Sequence, residues 1–218
     1  MKKRYLFILI TFITVLSSCE KDPIINNDKH VGISRITYYP TFDVTGGAFV
    51  SIVAGTPFTD PGIKATAGGA EVPVTTTGTV DVNTPGIYVL NYSASNADGY
   101  SAAATRTVFV IPSAEVPGTD ISGNYMTTGS TPNATVTKVA AGVYFTTNCW
   151  GNGSAAIIPA YFFCTDGAVV SIPYQNGPAG HIETTMPGTY SATGLITWTI
   201  IRHDFSPPLT LQKTWQKL

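Results

Sequence analysis

The amino-acid sequence predicts an all-β protein, and three observations support this. Charged residues make up 11% of the 218-residue chain, against roughly 25% in a typical soluble domain. Gly, Thr, Ser, Val and Tyr take their place, which favours strands and turns over helices. Short apolar or alternating segments recur between Gly, Pro, Asn and Asp clusters, and no segment combines a sustained 3.6-residue periodicity with helix-forming residues. The length is sufficient for one large or two ordinary domains.

Residues 1–18 have the features of a secretory signal peptide. Three basic residues at positions 2–4 precede an apolar run over positions 5–16, and small residues precede Cys19. The run is about a dozen residues, whereas a helix that crosses a bilayer needs roughly 20. Residues 16–19 (Leu-Ser-Ser-Cys) resemble the lipobox of bacterial lipoproteins, which implies that Cys19 is acylated and anchors the protein in a membrane. An ordinary cleaved signal followed by a chance cysteine is the alternative.

Residues 19–30 are polar and turn-forming, and we expect them to be a tether. Residues 20–22 (Glu-Lys-Asp) are similar to the export signal that sends lipoproteins to the outer cell face in glycan-foraging Gram-negative gut bacteria. A solvated linker would have the same composition. The resemblance implies a lipid-anchored protein of the outer membrane that faces the cell exterior.

Without the three basic residues at positions 2–4, the number of Lys and Arg residues falls from 12 to 9, against 13 acidic residues. No basic cluster remains to bind nucleic acid.

Residues 31–112 are predicted to form a β-sandwich, because short strand-like segments alternate with turns at regular spacing. Three blocks carry a resemblance, namely residues 55–62 (Gly-Thr-Pro-Phe-Thr-Asp-Pro-Gly), residues 80–88 and residues 106–110 (Arg-Thr-Val-Phe-Val). In this order they resemble the bacterial immunoglobulin-like domain of the DUF5011 type, which recurs in surface proteins as a spacer or binding module. The resemblance implies an immunoglobulin-like sandwich. The chain departs from the pattern at residues 96–100, where related repeats usually have an aspartate and Gly-Asn.

Residues 113–119 are predicted to be a linker, and residues 120–218 a second, antiparallel β domain. Seven or eight strand-like segments on short turns favour a lipocalin-like, up-and-down barrel, with a strongly curved sandwich as the alternative. Blocks such as residues 122–125 (Ser-Gly-Asn-Tyr) and 149–151 (Cys-Trp-Gly) resemble the uncharacterised C-terminal domain of lipoproteins near starch-utilisation-type (Sus-like) glycan systems. The resemblance implies proximity to other outer-membrane uptake proteins and no assigned chemistry.

Cys149 and Cys164 remain in addition to Cys19. In an exported protein an even pair suggests a disulfide, and the two cysteines end consecutive predicted strands that a hairpin would bring together. Two buried thiols are the alternative, because cysteine also packs as a small hydrophobe. No histidine or further cysteine lies at zinc-ligand spacing, and the aspartates of the first domain match no contiguous calcium loop. We therefore expect no metal and no cofactor.

The titratable residues of the second domain give little support for catalysis. His181 with Glu183, or His203 with Asp204, would supply a general base and a carboxylate that orients it. These residues fall in predicted loops, and the chain has no Gly-x-Ser-x-Gly nucleophile motif. We therefore expect no catalytic residues and no enzymatic activity. An exported hydrolase is the most distant of the hypotheses.

The aromatic and amide residues of the second domain favour a binding role. Aromatic rings provide platforms for the apolar faces of sugars, and Trp150 stands between Asn148 and Asn152 in a Gly-rich loop predicted to hold the ring near solvent. Tyr174, in a predicted turn, would flank the same surface, whereas Trp198 is predicted to be core. The leading hypothesis is a non-catalytic accessory protein that binds polysaccharides or oligosaccharides. The alternative is a structural or protein-interaction lipoprotein with the immunoglobulin-like domain as a spacer.

Overall fold

The computed structural model describes residues 24, 26–27, 30–31, 34–127, 133–151, 157–178 and 180–218. The predicted signal peptide (residues 1–18), the lipidation site Cys19 and most of the tether (residues 19–30) lie outside the described residues. Every regular element within them is a β-strand, which confirms the all-β prediction. In this part of the chain no helix is long and apolar enough to cross a membrane.

The N-terminal part contains a two-stranded sheet of β1 and β2 and two larger sheets that form an immunoglobulin-like sandwich. Its strands are, in chain order, β1 His30–Val31, β2 Ser34–Arg35, β3 Thr41–Val44, β4 Phe49–Val53, β5 Ile63–Ala67, β6 Ala70–Val72, β7 Val74–Thr77, β8 Gly86–Ser95 and β9 Ser101–Ile111. One sheet has the order β3-β5-β6 and the other β4-β9-β8-β7. The pairing of β4 with β9 is parallel, and the remaining pairs of these two sheets are antiparallel.

The core of this sandwich includes a fully buried arginine. Alternation along β8 places Leu90 and Tyr92 in an apolar cluster with Val108. Arg106, 0% exposed, donates to the backbone carbonyls of residues 45 and 62 at 2.7 and 3.0 Å. Its Nε lies 3.4 Å from Oδ1 of Asp60, and the other carboxylate oxygen of Asp60, Oδ2, accepts a hydrogen bond from the Tyr92 hydroxyl at 2.8 Å. Asp60 thus offsets a buried charge in the core.

The C-terminal part forms one antiparallel sheet that is nearly closed into a barrel. Its strands are, in chain order, β10 Gly123–Met126, β11 Asn133–Ala140, β12 Val143–Thr146, β13 Ala160–Phe163, β14 Val169–Val170, β15 Gln175–Gly177, β16 Gly180–Thr184, β17 Gly188–Tyr190, β18 Leu195–Arg202 and β19 Leu209–Lys217. The order β13-β12-β11-β10-β19-β18 continues through β17 to β14. Ser171, which follows β14, exchanges two backbone hydrogen bonds with Phe163 of β13. The predicted barrel-like architecture is confirmed.

The hairpin of β15 and β16 is the main departure from the predicted strands. The sequence of residues 174–177 predicts a turn, and His181 and Glu183 are predicted to lie in a loop. In the structure β15 and β16 pair with each other, and β16 also pairs with the end of β18. Because β17 pairs with the first half of β18, the hairpin branches off the barrel beside β17.

Large side chains fill the barrel interior. Alternation along β18 buries Ile196, Trp198 and Ile200, which confirms the prediction that Trp198 is core. Trp215 of β19 and Tyr125 of β10 are buried in the same cluster. The interior is therefore a packed core, as in small barrels whose side chains leave no ligand cavity.

A third apolar cluster, separate from the two domain cores, contains residues of both parts of the chain. Phe109 and Ile111 of β9 pack with Val143 and Phe163 of the barrel. The ring of Tyr161 lies 5.1 Å, centroid to centroid, from that of Phe109. An apolar contact of this kind holds two domains in a fixed relation.

The predicted linker, residues 113–119, is fixed to the barrel. Ser113 Oγ lies 2.8 Å from Thr165 Oγ1, and Glu115 forms a salt bridge with Lys138. The Lys138 ammonium also donates to the carbonyl of Thr119 at 2.9 Å. These contacts, together with the shared cluster, support clefts that both domains line.

Candidate functional site

The structure does not bear out the predicted exposure of Trp150. Its ring is 6% exposed and belongs to the barrel core. The Arg202 guanidinium carbon lies 4.9 Å, and Lys213 Nζ 4.4 Å, from the ring centroid. Both cations come from strands β18 and β19, at positions that share the inward face with Trp198. The prediction that the ring lies near solvent is therefore wrong, because these inward-facing cations cover it.

Asn148 supports the loop that carries Trp150. Its side-chain oxygen accepts hydrogen bonds from the backbone N–H groups of Trp150, Gly151 and Ile158 at 3.1, 3.1 and 3.3 Å. Asn148 is 2% exposed, so its side-chain oxygen binds a buried loop, while its amide nitrogen has no hydrogen-bond partner among the described residues. Asn152, the third residue predicted for this surface, lies outside the described residues.

Burial also affects the ionisable groups around Trp150. It lowers the pKa of the Lys213 ammonium below its usual 10.5, and the neighbouring Arg202 charge adds to this shift. Arg202 itself donates two hydrogen bonds to the Asp204 carboxylate at 3.1 and 2.6 Å, which lower the pKa of Asp204. This end of the barrel is thus closed by cation–π contacts and an ion pair.

Cys149 and Cys164 are free, buried thiols, and the disulfide hypothesis is wrong. The pairing of β12 with β13 explains why. The Cys149 N–H donates to the carbonyl of Ile158, whereas the Cys164 N–H donates to that of Gly142, at the opposite end of the hairpin. Burial raises the pKa of the thiols from 9.0 to about 12 for Cys149 and about 11 for Cys164. Neither thiol is a thiolate at neutral pH.

Tyr174, by contrast, is an exposed ring held in a defined orientation. It is 54% exposed and lies directly before β15. Its ring stacks on His181 of β16, with centroids 4.6 Å apart and planes at 19°. His203, which follows β18, makes an edge contact with the same ring at 5.6 Å. These two imidazoles restrict the ring while leaving about half of its surface in solvent.

Two clefts border Tyr174, and both domains line each of them. The first, of about 430 Å³, is lined by Ile87, Val89 and Thr107 of the immunoglobulin-like domain and by Phe145, Pro159, Ala160, Tyr161, Tyr174, Gln175, Asn176, Pro178 and His181. The second, of about 500 Å³, is lined by Pro85, Pro112, Phe163, Val169, Ser171, Ile172, Pro173, Tyr174, Glu183, Thr184, Thr185, Met186 and Pro187. Tyr174 and these two clefts are called the Tyr174 site below.

Gln175 fixes the side of the hairpin that faces the first cleft. Its amide oxygen accepts a hydrogen bond from the Tyr161 N–H at 2.9 Å, and its amide nitrogen donates to the Tyr161 carbonyl at 2.7 Å. The side chain thereby satisfies the backbone of β13 where that strand has no neighbouring strand. The amide of Asn176, one residue later, is exposed and available to a ligand.

The predicted acid–base pairs are rearranged. His203 Nε2 lies 2.9 Å from a carboxylate oxygen of Glu183, whereas Asp204 pairs with Arg202. Among the described residues neither histidine hydrogen bonds to a serine or cysteine, and no group of three His, Cys, Asp or Glu side chains could hold a metal ion. From the sequence, His181 and His203 are predicted only as general bases. The stacking of His181 on Tyr174 depends on a hairpin, which a Gly- and Pro-rich sequence does not predict.

Residues 42–110 match the family model of the bacterial surface protein Ig-like domain. This match confirms the immunoglobulin-like part of the predicted fold and supports a bacterial cell-surface protein. It covers less than half of the chain, and the C-terminal barrel lies outside it.

Two solved structures align with most of the chain. The lipoprotein BT2262 from Bacteroides thetaiotaomicron is 24% identical over 82% of this chain and 100% of that chain, with a TM-score of 0.41. A structure of ZmpB from Clostridium perfringens, the M60 catalytic domain with the CBM51-1 and CBM51-2 domains, is 13% identical over 85% of this chain and 21% of that chain, with a TM-score of 0.33. At these TM-scores neither similarity determines a function. No curated protein sequence matches the chain.

Proposed function

We propose that the protein is a non-catalytic lipoprotein, anchored through Cys19 in the outer membrane and facing the cell exterior, that binds glycans for a polysaccharide-uptake system. The family match of residues 42–110 supports the surface location. The Leu-Ser-Ser-Cys sequence at residues 16–19 supports the anchor. Acyl chains hold a protein on a membrane because each buried methylene contributes about 0.8 kcal/mol.

The observation that carries the proposal is the exposed ring of Tyr174. Sugars present apolar C–H faces that pack on flat aromatic rings. The stacking of His181 at 4.6 Å restricts the ring from one side, so little conformational entropy remains to be lost when a ligand binds. Asn176 and Thr107 add an amide and a hydroxyl group at the first cleft. The Tyr174 site therefore replaces the Trp150 loop as the place where a glycan would bind.

The carboxylates of the predicted acid–base pairs, Glu183 and Asp204, each have a basic partner, which supports a role other than glycoside hydrolysis. Glu183 is bound to His203, and Asp204 is bound to Arg202. A hydrolase acting on glycosidic bonds needs two carboxyl groups free to face the bond. The buried thiols Cys149 and Cys164, with raised pKa values, are poor nucleophiles.

The test is affinity electrophoresis of the full chain through gels that contain single polysaccharides. We expect retardation in at least one gel and its loss in Tyr174→Ala. Stacking of a nucleobase on an aromatic side chain is worth about 1–3 kcal/mol by alanine substitution, a scale that we apply to the sugar face, and 1.4 kcal/mol is tenfold in affinity. Tyr174→Phe should retain binding. Tyr100→Ala, at a tyrosine of the other domain that is 48% exposed, is the control. Unretarded wild-type protein in every gel would refute the proposal.

A protein-interaction role is the second candidate, and one observation favours it. Tyr38, Tyr39 and Tyr100 are 47, 57 and 48% exposed on the immunoglobulin-like domain, and the rings of Tyr39 and Tyr100 lie 5.3 Å apart. Exposed tyrosines are enriched where proteins bind one another. The same Tyr100→Ala variant separates the two functions, because it should weaken binding to a protein partner and leave glycan binding unchanged.

A further inference from the structure

We infer that the ligand of the Tyr174 site is an uncharged oligosaccharide chain that lies across Tyr174, occupies both clefts and contacts both domains. This inference rests on the proposed glycan-binding function and narrows its ligand class. It excludes a single terminal sugar and an acidic glycan as the preferred ligand.

The position of Tyr174 between two cavities indicates an extended ligand. The clefts have volumes of about 430 and 500 Å³, each within the range of roughly 300–1,000 Å³ that small-molecule sites have. A single sugar stacked on the ring would leave at least one cleft to solvent. A chain that continues on both sides of Tyr174 would fill them, with the stacked unit in the middle.

The walls of the clefts indicate that such a chain would touch both domains. Val89 of β8 lines the first cleft and Val169 of β14 lines the second, and each is 44% exposed. The aromatic cluster around Phe109 and Tyr161 lies between the domains. Because this apolar contact fixes the two walls relative to each other, the site requires little rearrangement to accept a chain.

The charges of the lining residues indicate an uncharged ligand. No Lys, Arg or Asp lines either cleft among the described residues. The one carboxylate, Glu183, is bound to His203 at 2.9 Å, and the imidazole of His181, which lines the first cleft, is stacked on Tyr174. Carboxylate or sulfate groups on a glycan would require Arg or Lys to replace their hydration. The apolar, amide and hydroxyl groups present suit the C–H faces and hydroxyls of neutral sugars.

Matched charge insertions on the two sides of Tyr174 test this inference. Wild type, Val89→Glu, Val169→Glu and a control, Val116→Glu, would be titrated by calorimetry with the full chain. Val116 is 51% exposed and lines neither cleft. The probes are neutral oligosaccharides of increasing length from starch, mixed-linkage β-glucan and galactomannan, with oligogalacturonate and oligoalginate as acidic counterparts.

We expect affinity for the neutral probe that binds to increase with chain length until both clefts are filled. For the longest probe, Val89→Glu and Val169→Glu should each weaken binding roughly tenfold, the factor that corresponds to 1.4 kcal/mol. For the disaccharide at most one of them should have an effect. Val116→Glu should bind like wild type, and equal melting temperatures of the four proteins would show that the fold is intact.

Three outcomes would overturn the inference, and they are separable from failure of the proposed function. Affinity that is already maximal for the disaccharide would show a single-sugar site. If only one of the two valine substitutions weakens binding of the longest probe, the ligand occupies only one cleft. Preference for the acidic probes would exclude an uncharged ligand. In all three outcomes Tyr174→Ala still weakens binding, and the proposed glycan-binding function stands. If no probe binds, both the inferred ligand class and the proposed function are overturned.

Discussion

Trp150 and Tyr174 are both aromatic residues in Asn- and Gly-containing segments, and their environments are opposite. Trp150 is 6% exposed and Tyr174 is 54% exposed. Each ring has basic neighbours, but Arg202 and Lys213 cover Trp150, whereas His181 stacks on Tyr174 and leaves about half of it in solvent. Similar local sequence therefore leads to a core residue in one place and to an exposed platform in the other.

The difference arises from what lies opposite each segment. The Trp150 loop lies against strands β18 and β19, where Arg202, the last residue of β18, and Lys213 of β19 cover the ring. Asn148 then binds the loop backbone from within. The Tyr174 segment belongs to a hairpin that branches off β18 and buries Ile182 in the barrel core, whereas Tyr174 itself contacts two imidazoles at the surface. The burial of Trp150 is thus decided by residues about 50 or more positions away in sequence, in line with long-range sheet contacts.

The largest expected effect is that of Trp150→Ala on stability. Deleting a buried tryptophan costs about 3–5 kcal/mol of the free energy of unfolding, and here it also leaves Arg202 and Lys213 without the ring that they cover. Urea unfolding of the variant measures this loss, with Trp198→Ala as a core reference. A loss below 1 kcal/mol would mean that the ring is accessible to solvent, as the loop sequence alone suggests.

A smaller loss is expected for Asn148→Ala. The substitution leaves three backbone N–H groups of the Trp150 loop without their acceptor. Unsatisfied buried groups cost roughly 1–3 kcal/mol, and opening of the loop to water limits the total to about this range. Unfolding experiments on Asn148→Asp, which keeps the acceptor oxygen, should show a smaller loss. Asn176→Ala, at an exposed amide, should be neutral; equal effects at positions 148 and 176 would contradict the structural role of Asn148.

Much of the fold follows from residue patterns. The alternating sequence of residues 195–202 predicts β18 and the burial of Trp198, and both are found. Turn residues at regular spacing predict a β-sandwich, and the resemblance of three sequence blocks implies the immunoglobulin-like type, which the family match at residues 42–110 confirms. The strands and the sandwich depend on local periodicity, and local periodicity is visible in a single sequence.

The candidate site could be predicted only in part, because it depends on contacts between distant segments. Tyr174 was among the predicted binding residues, but its stacking partner His181 comes from a hairpin with Gly and Pro at its turn, a composition that indicates a loop. Its second neighbour, His203, follows the distant strand β18. The clefts also depend on the contact between β9 and the barrel. The local sequence around Phe109 or Phe163 does not show that either side chain contacts another domain. The Cys149–Cys164 pairing failed because strand register sets their separation.

Of the substitutions at the two aromatic residues, Tyr174→Ala is expected to have the smaller effect on stability, and this variant tests the comparison with Trp150 most directly. The substitution removes one stacking contact and one edge contact with histidines, but about half of the Tyr174 side chain is already in solvent in the wild type. Substitutions at such surface positions usually change the free energy of unfolding by no more than about 0.5 kcal/mol. We therefore expect Tyr174→Ala to unfold at the same urea concentration as wild type while it loses glycan binding. Urea unfolding and affinity electrophoresis of the same preparation measure both quantities. If Tyr174→Ala instead loses as much stability as Trp150→Ala, the ring supports the hairpin, and any loss of binding would follow from unfolding rather than from a missing platform.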